Sequence, residues 1–125
     1  MISSKQVCVA FGAAFVLAGV LGFVPNPLLA PDGVFAVNTM HNLVHLLTGA
    51  AFLAGGLLLP GKEQATVVTV SVAYLGVAVL GLLTSGDWLL GVVRLNEADR
   101  WLHVGLAVAM LTAAFVLPKR VAEAV

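Results

Sequence analysis

This 125-residue chain contains three histidines, and two of them stand four residues apart in His41-Asn42-Leu43-Val44-His45. The third, His103, follows Asp99 at the same interval. Residues four apart share a helix face, so each pair can chelate one ion. Three imidazoles and a carboxylate, from His41, His45, Asp99 and His103, suit zinc or another divalent transition metal. Alternatively, His45 and His103 offer the two axial ligands of a haem. A His-x-x-x-His spacing carries little weight alone; the matching Asp/His pair gives it weight.

The two pairs belong to a longer correspondence. Shifted by 58 positions, residues 33–38 fall on 91–96, Asn38 on Asn96, His45 on His103, and Leu59-Pro60 on Leu117-Pro118. A weaker match sets Val20-Leu21-Gly22 on Val79-Leu80-Gly81 at an offset of 59. Apolar matches are cheap in greasy helices, whereas Asn and His are scarce there. A helical hairpin has been copied on this reading, with repeat 1 at about 7–60 and repeat 2 at about 65–118. A two-helix repeat returns the chain to its starting side, so the copies are parallel, related by an axis along the membrane normal. At about 100° per residue, Asn38, His41 and His45 span an arc of about 60°, and so do Asn96, Asp99 and His103. Gly49, Gly56, Ala107 and Ala114 continue those faces, and small residues let helices approach closely in lipid. Both trios are therefore expected to point into the bundle as a polar network. In it Asn38 and Asn96 cap their helices, His45 and His103 donate to carbonyls, and Asp99 accepts from His41.

Composition says what surrounds them. The chain is 61% hydrophobic and 10% charged, with a mean hydropathy of +1.08; a soluble domain carries about 25% charge. So few charges cannot cover a water-facing surface, and lipid is the expected solvent. A net charge of zero leaves no basic footprint for nucleic acid. Cys8, the single cysteine, cannot form an internal disulfide and reads as a packing residue. No phosphate loop and no GxSxG nucleophile appears, so nothing marks an enzyme.

Four apolar stretches must position the polar residues: 7–24, 41–59, 65–83 and 101–117. At ~1.5 Å per residue each reaches ~26–28 Å, near the thickness of a hydrocarbon core. Pro25-Asn26-Pro27, Pro60-Gly61, Ser85-Gly86-Asp87 and Pro118 punctuate them. The short link at 60–64 makes the second and third helices antiparallel neighbours, and the longer links are expected in the interface plane, anchored by Trp88 and Trp101. The first stretch reads as a retained helix rather than a cleaved leader, since only Lys5 precedes it and its apolar run is long. The expected architecture is thus an all-α, integral membrane four-helix bundle of two tandem hairpin repeats, one domain over residues 1–125. Lys5, Lys62, Lys119 and Arg120 fall on one side, Arg94 and Arg100 on the other, which places both termini in the cytoplasm and the polar trios near the outer face.

Remaining polar groups read blandly. Thr69, Ser71 and Tyr74 are taken as bonding locally at depth. Arg94, Glu97, Asp99 and Arg100 read as a solvated helix start, with Arg100 available to an anionic lipid head group. Met40 and Phe35 read as packing or interface residues. The leading functional expectation is a structural or accessory membrane protein held together by its polar network, and the alternative is binding of a divalent transition metal or haem. Small-solute or proton transport ranks behind both, because the ionisable groups gather at one end. The expected partners are the lipid bilayer and a homodimer mate or larger membrane complex, with no nucleic acid.

The segments 35–45 and 95–103 resemble a family of small bacterial four-helix membrane proteins known only as a domain of unknown function. That family shows Asn-x-x-His-Asn-x-x-His before one helix and Asn-x-x-Asp-Asn-x-x-His before another, after a Gly-Phe-Val-Pro ending like Gly22-Phe23-Val24-Pro25. The resemblance covers nearly the whole chain. It implies the four-helix architecture and a bacterial plasma membrane, and brings no activity with it. Arg100 stands where the family pattern has Asn, so the two half-sites are not strictly equivalent.

Overall fold

The computed structural model of the protein describes residues 2–116. Leu117-Pro118 and the basic pair Lys119-Arg120 lie outside the described residues. Four helices dominate: α1 (Ser4–Leu21), α2 (Thr39–Leu57), α3 (Glu63–Leu83) and α4 (Glu97–Val116). Each start lies outside the edge of its apolar stretch, and at α1, α2 and α4 a polar side chain just before the helix caps it. A capping box opens α1, with Ser3 Oγ accepting from the Gln6 amide at 3.2 Å and Gln6 Oε1 accepting from the Ser3 amide at 2.9 Å. Asn38 caps α2. At the far end of α1, the Asn26 side chain donates to the carbonyls of Leu21, Val24 and Leu29 and accepts from the amides of Leu28 and Leu29, so the chain turns there although Phe23 and Val24 are apolar.

The two long links fold back on themselves. β1 (Leu29–Ala30) pairs in parallel with β2 (Phe35–Ala36), and β3 (Trp88–Leu89) pairs antiparallel with β4 (Val93–Arg94). A tight turn joins β3 to β4, with Leu90 at φ 53° and Gly91 at φ 74° and a bond from the Val92 amide to the Leu89 carbonyl. Both central residues are left-handed, which is the hairpin turn that matches strand twist. Apart from these two-residue ladders the regular structure of the described residues is helical, joined by turns and loops.

α1 packs chiefly on α2, and α3 on α4. Glycine sets the closeness of the first pair. A Cβ on Gly49 would stand 2.8 Å from both the Gly12 carbonyl oxygen and the Val16 amide nitrogen. Buried positions are small, aromatic or polar: Cys8, Phe15, Phe52, Val67, Tyr74, Ala107, Met110 and Ala114, with His41, Asn42, His45 and Asp99. Many other large aliphatic and aromatic side chains face outward, Leu47 at 71% and Phe115 at 73% exposure among them. Water would penalise that arrangement and lipid does not. By length and composition α1, α3 and α4 can each cross a membrane, and the chain is a membrane four-helix bundle. The sequence reading expected four such spans. Among the described residues α2 falls short of that apolarity at equal length, because it carries His41, Asn42, His45 and Thr48.

Candidate functional site: a buried histidine trio

The site begins with two asparagines. Asn38 Oδ1 accepts from the His41 amide at 2.9 Å and from the Arg94 amide at 3.2 Å, while its Nδ2 donates to the Val92 carbonyl at 3.0 Å. Asn96 Oδ1 accepts from the Asp99 amide at 2.9 Å, and its Nδ2 donates to the Val34 carbonyl at 3.0 Å. Each Asn therefore caps its own helix and grips the strand leading into the other helix. Residues 34 and 92 are 58 apart, as are 38 and 96.

The next position along each helix repeats the exchange with opposite polarity. His41 Nδ1 lies 2.6 Å from the Arg94 carbonyl oxygen. A carbonyl only accepts, so Nδ1 carries the proton and Nε2 keeps its lone pair. Asp99, at the matching position, accepts from the Asn96 amide at 2.9 Å and takes a backbone hydrogen bond from Ala36. Ala36 is the counterpart of Arg94 at the same 58-residue spacing. At positions 58 apart, histidine meets a carbonyl and aspartate meets an amide. The sequence reading had Asp99 accepting from His41; instead each meets the opposite strand.

Below this layer the three histidine rings converge. Ring centroids are 4.5 Å apart for His41–His45, 5.6 Å for His41–His103 and 6.4 Å for His45–His103. One ring nitrogen of each lies within 4.8 Å of one from each of the others. All three are buried, at 2%, 7% and 4% exposure respectively. Nδ1 of His45 and Nδ1 of His103 have no hydrogen-bond partner. Asp99 commits its carboxylate to the two amides, so the gathered ligand set is the three imidazoles alone. The trio also bears on the haem expectation. A triangle with those sides sets the His41 ring about 4 Å from the midpoint between His45 and His103. An iron between two axial histidines would sit at that midpoint, and its macrocycle would run through the His41 ring. In this arrangement the trio fits a bare ion and does not fit a porphyrin.

Three further residues were not singled out for the site by sequence reasoning. Tyr74 stacks edge-on against His103 at 5.5 Å and against Phe15 at 5.3 Å, and Phe15 lies 5.9 Å from His45. Tyr74 is 59 residues beyond Phe15, the offset already seen between the first and third helices, and that spacing was the available signal. Arg100 is a correction: it is buried, not solvated or turned to lipid head groups. Its Nε donates to the Gly81 carbonyl at 3.0 Å, its Nη2 donates to the Gly86 carbonyl, and its Nη1 pairs with Glu97 at 3.3 Å. These bonds reach carbonyls at and just beyond the end of α3, the Gly81 carbonyl also accepting from the Thr84 amide. Asn42, its counterpart 58 residues earlier, packs against Gly22, where any Cβ would collide with the Asn42 amide. At the opposite end of the bundle, Ser4 Oγ donates to Gln64 Oε1 at 2.6 Å and Gln64 donates to the Ala114 carbonyl, tying α1, α3 and α4 together.

A four-helix membrane bundle with a buried polar centre at the starts of two helices is the class that these observations define. The chain belongs to the family described as a domain of unknown function (DUF4383), which matches residues 5–116. No curated protein and no solved structure matches it significantly.

Proposed function

We propose that this membrane protein binds one divalent transition-metal ion through His41, His45 and His103, as an accessory protein holding the ion near the outer face of a bacterial plasma membrane. The carrying observation is the pair of orphaned nitrogens, Nδ1 of His45 and Nδ1 of His103. A purely structural network should satisfy its buried members. Asn38, Asn96, His41 and Asp99 do find partners, and Nδ1 of the two central histidines does not; Asn42 Oδ1 and the Tyr74 hydroxyl are the other buried atoms without one among the described residues. An unmade buried hydrogen bond costs about 1–3 kcal/mol, and an ion ligated by those rings would recover it.

The donor set fits such an ion. Imidazole suits zinc, copper, nickel and iron. The His41 ring is held by a backbone carbonyl through Nδ1, the kind of outer bond that orients a metal-binding imidazole. Zinc–nitrogen bonds of ~2.0–2.1 Å in a tetrahedron put the nitrogens roughly 3.4 Å apart. From separations of up to 4.8 Å, small ring rotations close the site. Two ligands come from the first hairpin and one from the second, so the ion would also latch the halves. The reciprocal contacts at a 58-residue spacing support a duplicated hairpin with both copies in the same orientation. Lys5 and Lys62 lie at the end away from the trio, which supports cytoplasmic termini.

Elemental analysis of protein purified from its native membrane without chelator tests the reading. About one equivalent of a transition metal per chain is expected, lost in His45→Ala and in His103→Ala. Metal-free wild-type protein that also fails to take up Zn(II) or Co(II) would overturn it.

A further inference from the structure

Among the described residues two further buried polar atoms lack a partner, Asn42 Oδ1 and the Tyr74 hydroxyl, and the Tyr74 ring lies directly against His103. The position of Tyr74 makes its lack of a partner costly and avoidable. Phe15 occupies the matching place 59 residues earlier and makes the matching contact, ring against His45 as Tyr74 is against His103, and the two rings touch each other at 5.3 Å. A phenyl ring therefore satisfies the packing on one side of the axis. The hydroxyl on the other side adds only a polar group that is 95% buried, since Tyr74 is 5% exposed. The Tyr74 ring lies against the His103 ring, so the phenol stands beside the trio, with the Asp99 carboxylate within electrostatic reach. Asp99 does not satisfy it, being bonded to the Asn96 and Ala36 amides.

Three histidines leave one position of a tetrahedral ion open. They are neutral ligands, so a divalent ion among them keeps its positive charge and attracts an anion into that position. We propose that Tyr74 donates a hydrogen bond to a small anion bound at the open position of the metal. This rests on the metal reading above and adds to it the class of the fourth ligand and the residue that selects it. The phenol O–H is an unpartnered donor on a ring that touches His103, and an anion held by the ion would accept its hydrogen bond. His41, His45 and His103 hold the ion, and Tyr74 acts on what the ion holds.

Co(II) reports on such a site through its visible absorption, and azide is a suitable probe anion. In detergent-solubilised full-length protein loaded with Co(II), azide is expected to perturb the spectrum saturably. Tyr74→Phe is expected to take up Co(II) with unchanged affinity and to bind azide at least tenfold more weakly. Equal azide affinity in both proteins would overturn the inference and leave the metal reading standing, as would a Co(II)-loaded wild type that does not respond to azide. Failure of the wild type to take up Co(II) would overturn both. Phe is the residue already accommodated at the matching position 15, so the substitution preserves the packing.

Discussion

Asn38 and Asn96 hold each other's helices: each caps its own helix with its side-chain oxygen and, with its side-chain nitrogen, binds the strand that leads into the other at 3.0 Å. One amide does two jobs, and the jobs separate by substitution. Asp keeps the capping oxygen and loses the donor, whereas Ala loses both. Asn38→Asp and Asn96→Asp are expected to cost about 1 kcal/mol each, and the Ala variants about 2 kcal/mol each. Thermal unfolding in detergent reads the difference, and the two sites should respond alike. A large effect at one site and none at the other would break the correspondence.

At the trio, the metal reading and a purely structural network make opposite demands. Without metal, His45 and His103 each bury an unsatisfied nitrogen. Replacing such a group by an apolar one of similar size is neutral or stabilising. In chelator-treated protein, His45→Leu and His103→Leu should therefore unfold no earlier than wild type. Added Zn(II) should raise the wild-type transition, by about 2.7 kcal/mol at a hundredfold excess over its dissociation constant, and leave both variants unmoved. Variants that lose stability in the metal-free state would return the histidines to a structural role.

Helix approach is tested at glycines with opposite surroundings. A Cβ at Gly49 meets backbone of α1 at 2.8 Å, whereas one at Gly76 meets nothing within 4 Å. Gly49→Ala must push α1 and α2 apart, at a cost of about 1–3 kcal/mol. Gly76→Ala leaves stability unchanged or raises it by up to about 1 kcal/mol. Equal effects at the two sites would contradict the close α1–α2 packing.

Two arginines near the start of α4 also separate. Arg100 is buried and bonds the Gly81 and Gly86 carbonyls, so Arg100→Ala should cost on the order of 3 kcal/mol. Arg94 pairs at 3.7 Å with Asp32, whose side chain is 96% exposed, and at 3.5 Å with Asp87. Exposed pairs are screened and weak, so Arg94→Ala should cost under about 1 kcal/mol. Chemical unfolding of both variants checks the order, and the reverse order would contradict it.

Much of this was legible in the chain. Lipid as solvent follows from composition, and helix number from the apolar runs and their Pro and Gly punctuation. Scarce residues at a fixed offset drew attention to Asn38, Asn96, His45 and His103, which the fold gathers at the starts of α2 and α4. What sequence did not show depends on which backbone atom a side chain meets across the bundle. Asp99 seemed available as a ligand because nothing in its spacing reveals that the Ala36 amide lies opposite. Arg100 seemed solvated because charge usually is, yet the carbonyls at the end of α3 offered it a buried site. Tyr74 was read as one more hydroxyl at depth. Its importance lies in standing where its counterpart is Phe15, and that emerges only once both rings are seen against their histidines.

X-ray absorption at the metal edge of protein loaded with Zn(II) tests the central claim most directly. The expected spectrum has three nitrogen neighbours at ~2.0–2.1 Å with the outer-shell scattering of imidazole rings, reduced in His103→Ala. An oxygen-only shell without imidazole scattering, or a spectrum unchanged by that substitution, would contradict the histidine trio as a metal site.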